Sequence, residues 1–163
     1  RYLPPRKGKA NVLRFIRELV AARPVARETR IGEALAYLNR VQKRRAVVFL
    51  VSDFLGSEWS RELAVASRRH DLTAITVADP RECELDNAGF VLLRDAETGE
   101  LVELDTGHRR VRERFAELAH ARSDEVSRRL RRARVDELAI RNGQEYTSEM
   151  HRFFRMRERR LSR

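Results

Sequence analysis

Three oxygen-bearing side chains stand at positions where they could hold a divalent metal ion. Asp53 follows the apolar run 46–51, Asp79 follows the apolar run 72–77, and Thr29 precedes the helix that leads into the first run. If the two runs are neighbouring parallel strands, both carboxylates lie at the carboxyl edge of the sheet, where ligand sites of open sheets form. Hydroxyl, carboxylate and water oxygens are the ligands that Mg²⁺ and Mn²⁺ prefer. The spacing therefore makes Thr29, Asp53 and Asp79 candidate metal ligands.

The same residues also have a purely structural interpretation. Asp53 could cap the helix that follows its strand, and Thr29 could be the N-cap of the helix that begins at residue 31. Spacing alone does not decide between metal binding and capping.

The elements that would position these side chains follow from the hydrophobic pattern. Apolar residues that recur every three or four positions predict helices, and continuous β-branched runs predict strands buried on both faces, as in a parallel sheet. The alternation of helices and strands indicates an α/β fold, with a mainly parallel sheet flanked by helices and an added β-hairpin. The predicted helices are 10–22, 31–43, 57–70, 109–134 and 145–160, and the predicted strands are 46–51, 72–77, 90–93, 101–104 and 135–140. Predicted core residues of the last two helices include Leu118, Leu130, Tyr146 and Phe153.

Charge is distributed unevenly along the 163 residues. The net charge is +10, and arginine supplies 32 of the 35 basic residues. Residues 1–43 carry a net +8, residues 44–106 a net −6 and residues 107–163 a net +8. Nucleic-acid binders more often present one basic stripe with interleaved aromatic residues, so direct nucleic-acid binding is not expected. The arginine clusters 128–132 and 157–160 are either solvated helix faces or a docking surface for an acidic partner or anionic lipid.

Several common site chemistries find no support in the sequence. Cys83 is the single cysteine, which excludes an intrachain disulfide and a cysteine-ligated zinc site and fits a reducing compartment. The four histidines are scattered, and neither a glycine-rich phosphate loop nor a nucleophile at motif spacing occurs. The longest apolar run has six residues, far fewer than the roughly 18 that span a bilayer. These features predict a non-enzymatic, cytoplasmic protein, with membrane association left open for a longer parent protein.

The order of the motifs resembles one known family. The segment 29–35, followed by a strand that ends in Ser52-Asp53-Phe54, is similar to the second half of a von Willebrand factor A-type domain. The closer resemblance is to the bacterial family of uncharacterised A-like proteins that accompany MoxR-type AAA+ ATPases. It covers essentially the whole chain and rests also on Pro4-Pro5-Arg6-Lys7-Gly8, Arg44-Arg45, the segment 72–81, the segment 94–99 and Phe153-Phe154-Arg155.

This resemblance implies that residues 1–163 are a single, partial A-like (Rossmann-like) domain, namely its C-terminal half. The family's metal-ion-dependent adhesion site combines an Asp-x-Ser-x-Ser motif with a threonine and an aspartate, which correspond here to Thr29 and Asp53. The Asp-x-Ser-x-Ser motif is absent from the chain, and the resemblance places it upstream of residue 1 in a longer parent. There, Mg²⁺ or Mn²⁺ would recruit a protein ligand through an acidic residue, and the partner implied is a MoxR-type AAA+ ATPase.

A missing first strand has a physical consequence for the run 46–51. That run would form an apolar sheet edge, which natural proteins cover. Either the missing half is supplied in trans, or a second copy of the chain covers the edge in a homo-oligomer, or the fragment is fragile. We expect the parent protein to contain the missing strand.

Two other functions stay open on the sequence. Asp53 could serve a metal-dependent phosphoryl-transfer enzyme, but such an enzyme needs a second acid and a lysine near the phosphate. The three lysines, Lys7, Lys9 and Lys43, all precede the core strands. The basic flanks could instead bind nucleic acid, in which case affinity would depend steeply on salt concentration.

Overall fold

The computed structural model describes residues 3–4, 6–23, 29–56, 58–94 and 99–161. Helices and strands alternate within these ranges, as the hydrophobic pattern predicts. The helices are α1 (Lys9–Val20), α2 (Ile31–Val41), α3 (Ser60–Arg69), α4 (Arg109–Arg132) and α5 (Thr147–Leu161), and the strands are β1 (Val47–Ser52), β2 (Asp71–Ala78), β3 (Phe90–Arg94), β4 (Leu101–Asp105) and β5 (Asp136–Arg141). The predicted bounds are correct to within three residues wherever they fall on described positions.

A parallel sheet of three strands, in the order β1-β2-β5, forms the centre of the α/β fold. Val47 pairs with Asp71, and Thr73 pairs with Asp136, so β5 begins two residues further along than its neighbours. The predicted β-hairpin is confirmed as the antiparallel pair β3-β4. The turn of this hairpin, residues 95–98, lies outside the described residues.

One face of the sheet carries the main hydrophobic core. Val48 and Leu50 of β1 and Leu72 and Ala74 of β2 share this face, because successive side chains of a strand point to opposite sides. Helices α2, α3 and α4 cover it. The buried residues that they and the adjoining loops contribute are Ile31, Leu35, Phe54, Trp59, Leu63, Ala66, Leu130 and Val135.

Helix α5 covers part of the opposite face. Phe154 packs edge-to-face against Phe49 of β1, with ring centroids 5.6 Å apart. The guanidinium of Arg157, only 11% exposed, donates to Thr73 and pairs with Asp71, and it lies 3.4 Å from Asp136. Arg157 therefore connects the end of α5 to the first residues of β2 and β5.

The prediction that the run 46–51 is buried on both faces is wrong for β1. Val47, Phe49 and Val51 are 63%, 49% and 60% exposed. The reason is topological, since β1 is an edge strand of the described sheet and α5 reaches it only around Phe49. The separate expectation of an exposed apolar edge is met within the part of the chain that the structure describes.

Several apolar residues outside the sheet are also exposed. No residue of α1 is buried, although its six large apolar side chains form one face of the helix. Leu118 on α4 and Tyr146 before α5 are about half exposed, contrary to their predicted place in the core, whereas Leu130 and Phe153 are buried as predicted. No helix among the described residues has the length and apolar character needed to cross a bilayer.

Candidate functional site at the carboxyl edge of the sheet

Asp53 stands in a tight turn directly after β1. Its Oδ1 accepts a hydrogen bond from the Leu55 N–H at 3.0 Å and lies 3.3 Å from the Ser52 hydroxyl, which donates to it. The Ser52 oxygen in turn accepts from the Phe54 N–H at 3.1 Å. Asp53 is exposed, and these hydrogen bonds hold its side chain in one orientation.

Phe54 fixes the shape of this turn. It has a φ of +58°, which is uncommon for a bulky residue, and its ring is buried against Trp59 with centroids 5.2 Å apart. Burial of the Phe54 ring compensates for the unfavourable backbone conformation. The positive φ of Phe54 ends the extended conformation of β1 at this position.

Thr29 lies against the same turn. Gly56 has a φ of +133°, and a β-carbon at this position would come within 2.6 Å of the Thr29 carbonyl oxygen and 3.4 Å of Thr29 Cβ. Only glycine permits this approach. The structure thus brings Thr29 to the turn that carries Asp53, although 23 residues separate the two in the sequence.

Neither residue has the capping role that the sequence left open. The N-cap of α2 is Arg30, and no side chain caps that helix, so the N-cap interpretation of Thr29 is wrong. Asp53 bonds within its own turn, and Glu58 is the carboxylate that accepts from Trp59 N–H and Ser60 N–H at the start of α3. Thr29 and Asp53 are both free of a helix-capping function.

Asp79 lies at the same edge of the sheet as Asp53, but both of its carboxylate oxygens accept hydrogen bonds. The strands β1 and β2 are neighbours, as the candidate site requires. Asp79 Oδ1 accepts from the Arg81 N–H at 2.9 Å and begins a single 3₁₀ turn, while Oδ2 lies 3.5 Å from the Asn142 side-chain amide after β5. We therefore assign Asp79 to shaping the loop and leave Asp53 as the accessible carboxylate.

Glu58 contributes negative charge beside the candidate site. Hydrogen bonds from Ser60, together with the Arg129 guanidinium 3.5 Å away, lower the pKa of this carboxyl below its ordinary value. Arg129 also lies over the Trp59 ring at 5.6 Å. Glu58 is thus ionised at neutral pH, and its interactions hold α4 against the beginning of α3.

The donor chemistry at Thr29 and Asp53 fits a hard divalent cation, although the set is incomplete. A hydroxyl and a carboxylate supply two oxygens, whereas Mg²⁺ takes six ligands, of which several are commonly water. Within the described ranges, no three His, Cys, Asp or Glu side chains form a group that could hold a metal ion alone. Further protein oxygens from outside these residues would be needed for tight binding.

Sequence reasoning missed two residues that shape the edge. Gly56 brings the Thr29 segment to the Asp53 turn, and Asn142 meets Asp79 from the third strand. The Phe54-Leu55-Gly56 sequence signals a turn, but nothing local indicates what the glycine packs against. Asn142-Gly143 likewise signals a turn after β5, without indicating that β5 pairs with β2.

Comparisons with known proteins identify relatives without a described activity. The chain matches the family described as "Protein of unknown function DUF58" over residues 1–125. An uncharacterised protein of Mycobacterium avium is 33% identical over 160 residues, covering 96% of this chain and 94% of that protein. Uncharacterised proteins of Mycobacterium bovis and Mycobacterium tuberculosis are 33% identical over 161 residues, and the chain spans only about half (50%) of their length. No solved structure matches the chain significantly.

Proposed function

The chain belongs to the DUF58 family of proteins of unknown function, and we propose that it is a non-enzymatic protein-interaction module. Its partner is a MoxR-type AAA+ ATPase, with which it helps to assemble or remodel other proteins. The module uses a divalent-metal-dependent adhesion-type site at the carboxyl edge of its sheet, to which this chain contributes Thr29 and Asp53.

The contact between Gly56 and Thr29 is the observation that carries this proposal. It holds a threonine next to the turn that exposes Asp53, and neither side chain is needed as a helix cap. A threonine on one loop and an aspartate on the next are two of the three parts of a von Willebrand factor A-type site. The resemblance of segments 29–35 and 52–54 to that fold is consistent with this arrangement.

Recognition would depend on an acidic residue of the partner. Mg²⁺ or Mn²⁺ bound there would supply a positive charge and an open coordination position for a partner carboxylate. Asp53 is held by Leu55 and Ser52 with one carboxylate oxygen, and no hydrogen bond between described residues uses Oδ2. That oxygen is the natural metal-facing atom, and Thr29 would hold the other side of the site.

The exposed side of β1 is consistent with a domain that continues beyond this chain. We propose that a further strand from the longer protein pairs with β1 and supplies the missing Asp-x-Ser-x-Ser motif. Relatives of twice the aligned length have room for such a segment. In this view, Val47 and Val51 become buried when the sheet is complete.

Titration calorimetry with Mg²⁺ on the full-length protein tests the metal site. Asp53→Asn should lower Mg²⁺ affinity at least tenfold, because it removes a charged ligand without changing the size of the side chain. Asp79→Asn is the matched control and should leave the affinity unchanged, since Asp79 serves the 3₁₀ turn. Equal Mg²⁺ affinity in the wild type and Asp53→Asn would reject the site.

The partner is tested separately with a purified MoxR-type AAA+ ATPase. Co-purification should occur in Mg²⁺ and be lost in EDTA or with Asp53→Asn. Binding that is insensitive to both treatments would support an interaction module while contradicting the metal-dependent mechanism. No binding under either condition would contradict the assigned partner.

A further inference from the structure

The amino edge of the sheet, opposite the candidate metal site, gathers basic residues from three separate parts of the chain. Each strand of the parallel sheet is preceded by two or three of them. We call these eight residues the basic belt: Lys43, Arg44 and Arg45 before β1, Arg68 and Arg69 before β2, and Arg131, Arg132 and Arg134 before β5. Because the three strands are parallel and start within two residues of one another, these segments come to the same edge.

All eight side chains of the basic belt are exposed. None of the ion pairs between described residues involves them. Arg69 donates to a backbone carbonyl, that of Asn39, at 2.7 Å. The two acids nearest in the strands, Asp71 and Asp136, are already held by Arg157. The positive charge of the belt is therefore directed to solvent and not consumed within the fold.

Local helix electrostatics account for only part of this pattern. Arg68, Arg69, Arg131 and Arg132 lie in the last turns of α3 and α4, where cations are favoured by the helix dipole. Lys43 and Arg134 directly follow the C-caps of α2 and α4, so the same reason extends to them. Arg44 and Arg45 lie further from a helix end, and the helix dipole does not account for these two.

We propose that the basic belt is a docking surface for an anionic lipid bilayer. A cluster of four to eight Lys and Arg side chains at one surface is what recognition of acidic lipid headgroups requires. Arginine, which supplies seven of the eight, binds phosphate through two parallel N–H donors. The electrostatic attraction between cations and lipid headgroups does not require a binding pocket. Exposed cations on loops and helix ends at the same sheet edge can therefore supply it.

The composition of the belt favours a membrane over a nucleic acid. Nucleic-acid surfaces usually interleave basic residues with aromatic side chains on which bases stack. None of the three belt segments contains an aromatic residue. The exposed ring of Tyr37, two residues from the Asn39 carbonyl that Arg69 contacts, already lies under the guanidinium of Arg40 at 5.3 Å. The belt segments themselves therefore offer charge without aromatic side chains on which bases could stack.

Docking through the belt would also orient the molecule. The strands run from the belt to the carboxyl edge, and the six residues of β1 separate the two edges by about 20 Å. With the belt on a bilayer, Asp53 and Thr29 face away from the lipid, toward a protein partner. This inference goes beyond the proposed function, because it concerns a different surface and a different class of partner.

Vesicle co-sedimentation of the purified protein in EDTA tests the proposal independently of the metal site. We expect binding to vesicles that contain 30% phosphatidylglycerol, no binding to pure phosphatidylcholine, and a loss of binding as salt is raised. The triple variant Arg44→Gln, Arg131→Gln, Arg132→Gln should lower the partition coefficient about 100-fold, since each cation near the surface contributes about fivefold.

A matched variant separates the belt from net charge. Arg109→Gln, Arg110→Gln, Arg114→Gln removes the same charge from exposed positions at the start of α4 and should reduce binding far less. Equal losses in both triple variants, or equal binding to phosphatidylcholine, would overturn the proposal. Tighter belt-dependent binding to duplex DNA or to polyglutamate at the same salt would overturn it in favour of that partner.

Discussion

Gly56 lies directly against the carbonyl oxygen of Thr29, at a distance that leaves no space for a β-carbon. Gly56→Ala would place a methyl group 2.6 Å from that oxygen and force a φ of +133° on a residue with a side chain. We expect a loss of more than about 2 kcal/mol of stability and, in the full-length protein, weaker Mg²⁺ binding. Urea denaturation and calorimetry measure the two effects.

Gly143→Ala is the control for this prediction. Gly143 also has a positive φ, +76°, but no atom lies within 4 Å of its missing β-carbon. It should cost about 1–2 kcal/mol from backbone strain alone and leave Mg²⁺ affinity unchanged. If the two variants behaved alike in both measurements, the contact with Thr29 would have no special role.

A second prediction concerns Arg157, whose side chain should contribute more to folding stability than the Gly56 contact does. Arg157→Met would remove the cation that Asp71 and Asp136 share at the starts of β2 and β5. Breaking such a buried pair costs about 3–5 kcal/mol, and urea denaturation should show a loss toward the lower end, because both acids retain some exposure. Arg159→Met, at an exposed position of the same helix, should change stability by less than about 0.5 kcal/mol.

A double variant tests the cause of that loss. Asp71→Asn in the Arg157→Met background should recover part of the lost stability, since it removes the carboxylate that has lost its ion pair with Arg157. No recovery would mean that the loss comes from the packing of Arg157 on Phe153 or from its hydrogen bond to Thr73, and not from charge.

Much of the architecture was predictable because its signals are local. The apolar run at 46–51 and the Ser-Asp that ends it define β1 within one residue, and helical periodicity locates α2 and α4. The parallel order of β1 and β2 follows from the helix between them, since a parallel pair needs such a crossover. These properties depend on neighbours in sequence.

The features that were missed depend on contacts between distant segments. Periodicity cannot show that the Leu118 side chain of α4 is half exposed, or that Arg30 and not Thr29 is the N-cap of α2. The position of the charged residues in the fold was also missed for this reason. In sequence, an acidic middle separates two basic flanks, whereas the parallel sheet brings basic residues from all three regions to its amino edge. Only the topology makes one surface of them.

The exposed face of β1 yields a third prediction. Val51→Lys places a charge on a side chain that is 60% exposed, so the stability of this chain should change by less than about 0.5 kcal/mol, and self-association should decrease. Val48 lies on the opposite face of β1 and packs against the core. Val48→Lys should therefore unfold the chain.

The same pair of variants examines what covers β1 in the longer protein. If an additional strand pairs there, Val51→Lys should destabilise the full-length protein by several kcal/mol, because the lysine would be buried without a partner. A full-length protein as tolerant of Val51→Lys as this chain would contradict that arrangement. Loss of a dimer with no loss of monomer stability would instead identify a second copy as the cover.

His70 predicts how stability depends on pH. The residue is only 3% exposed, and neither ring nitrogen has a hydrogen-bond partner within the described residues. Burial, with a smaller contribution from Arg69, lowers the pKa of His70 below its ordinary value. The unfolded chain therefore binds a proton more readily than the folded one. Stability is fully present above about pH 6.5 and falls as the pH drops below the pKa of the unfolded histidine.

Urea denaturation at pH 7.5 and pH 5.5 measures this effect. His70→Leu removes the titrating group, so its stability should fall less than that of the wild type between the two pH values, whatever the variant's absolute stability. His120→Gln changes an exposed histidine on α4 and should retain the wild-type difference. If His70→Leu and the wild type lost equal stability on acidification, carboxylates elsewhere would be responsible for the acid sensitivity and His70 would not.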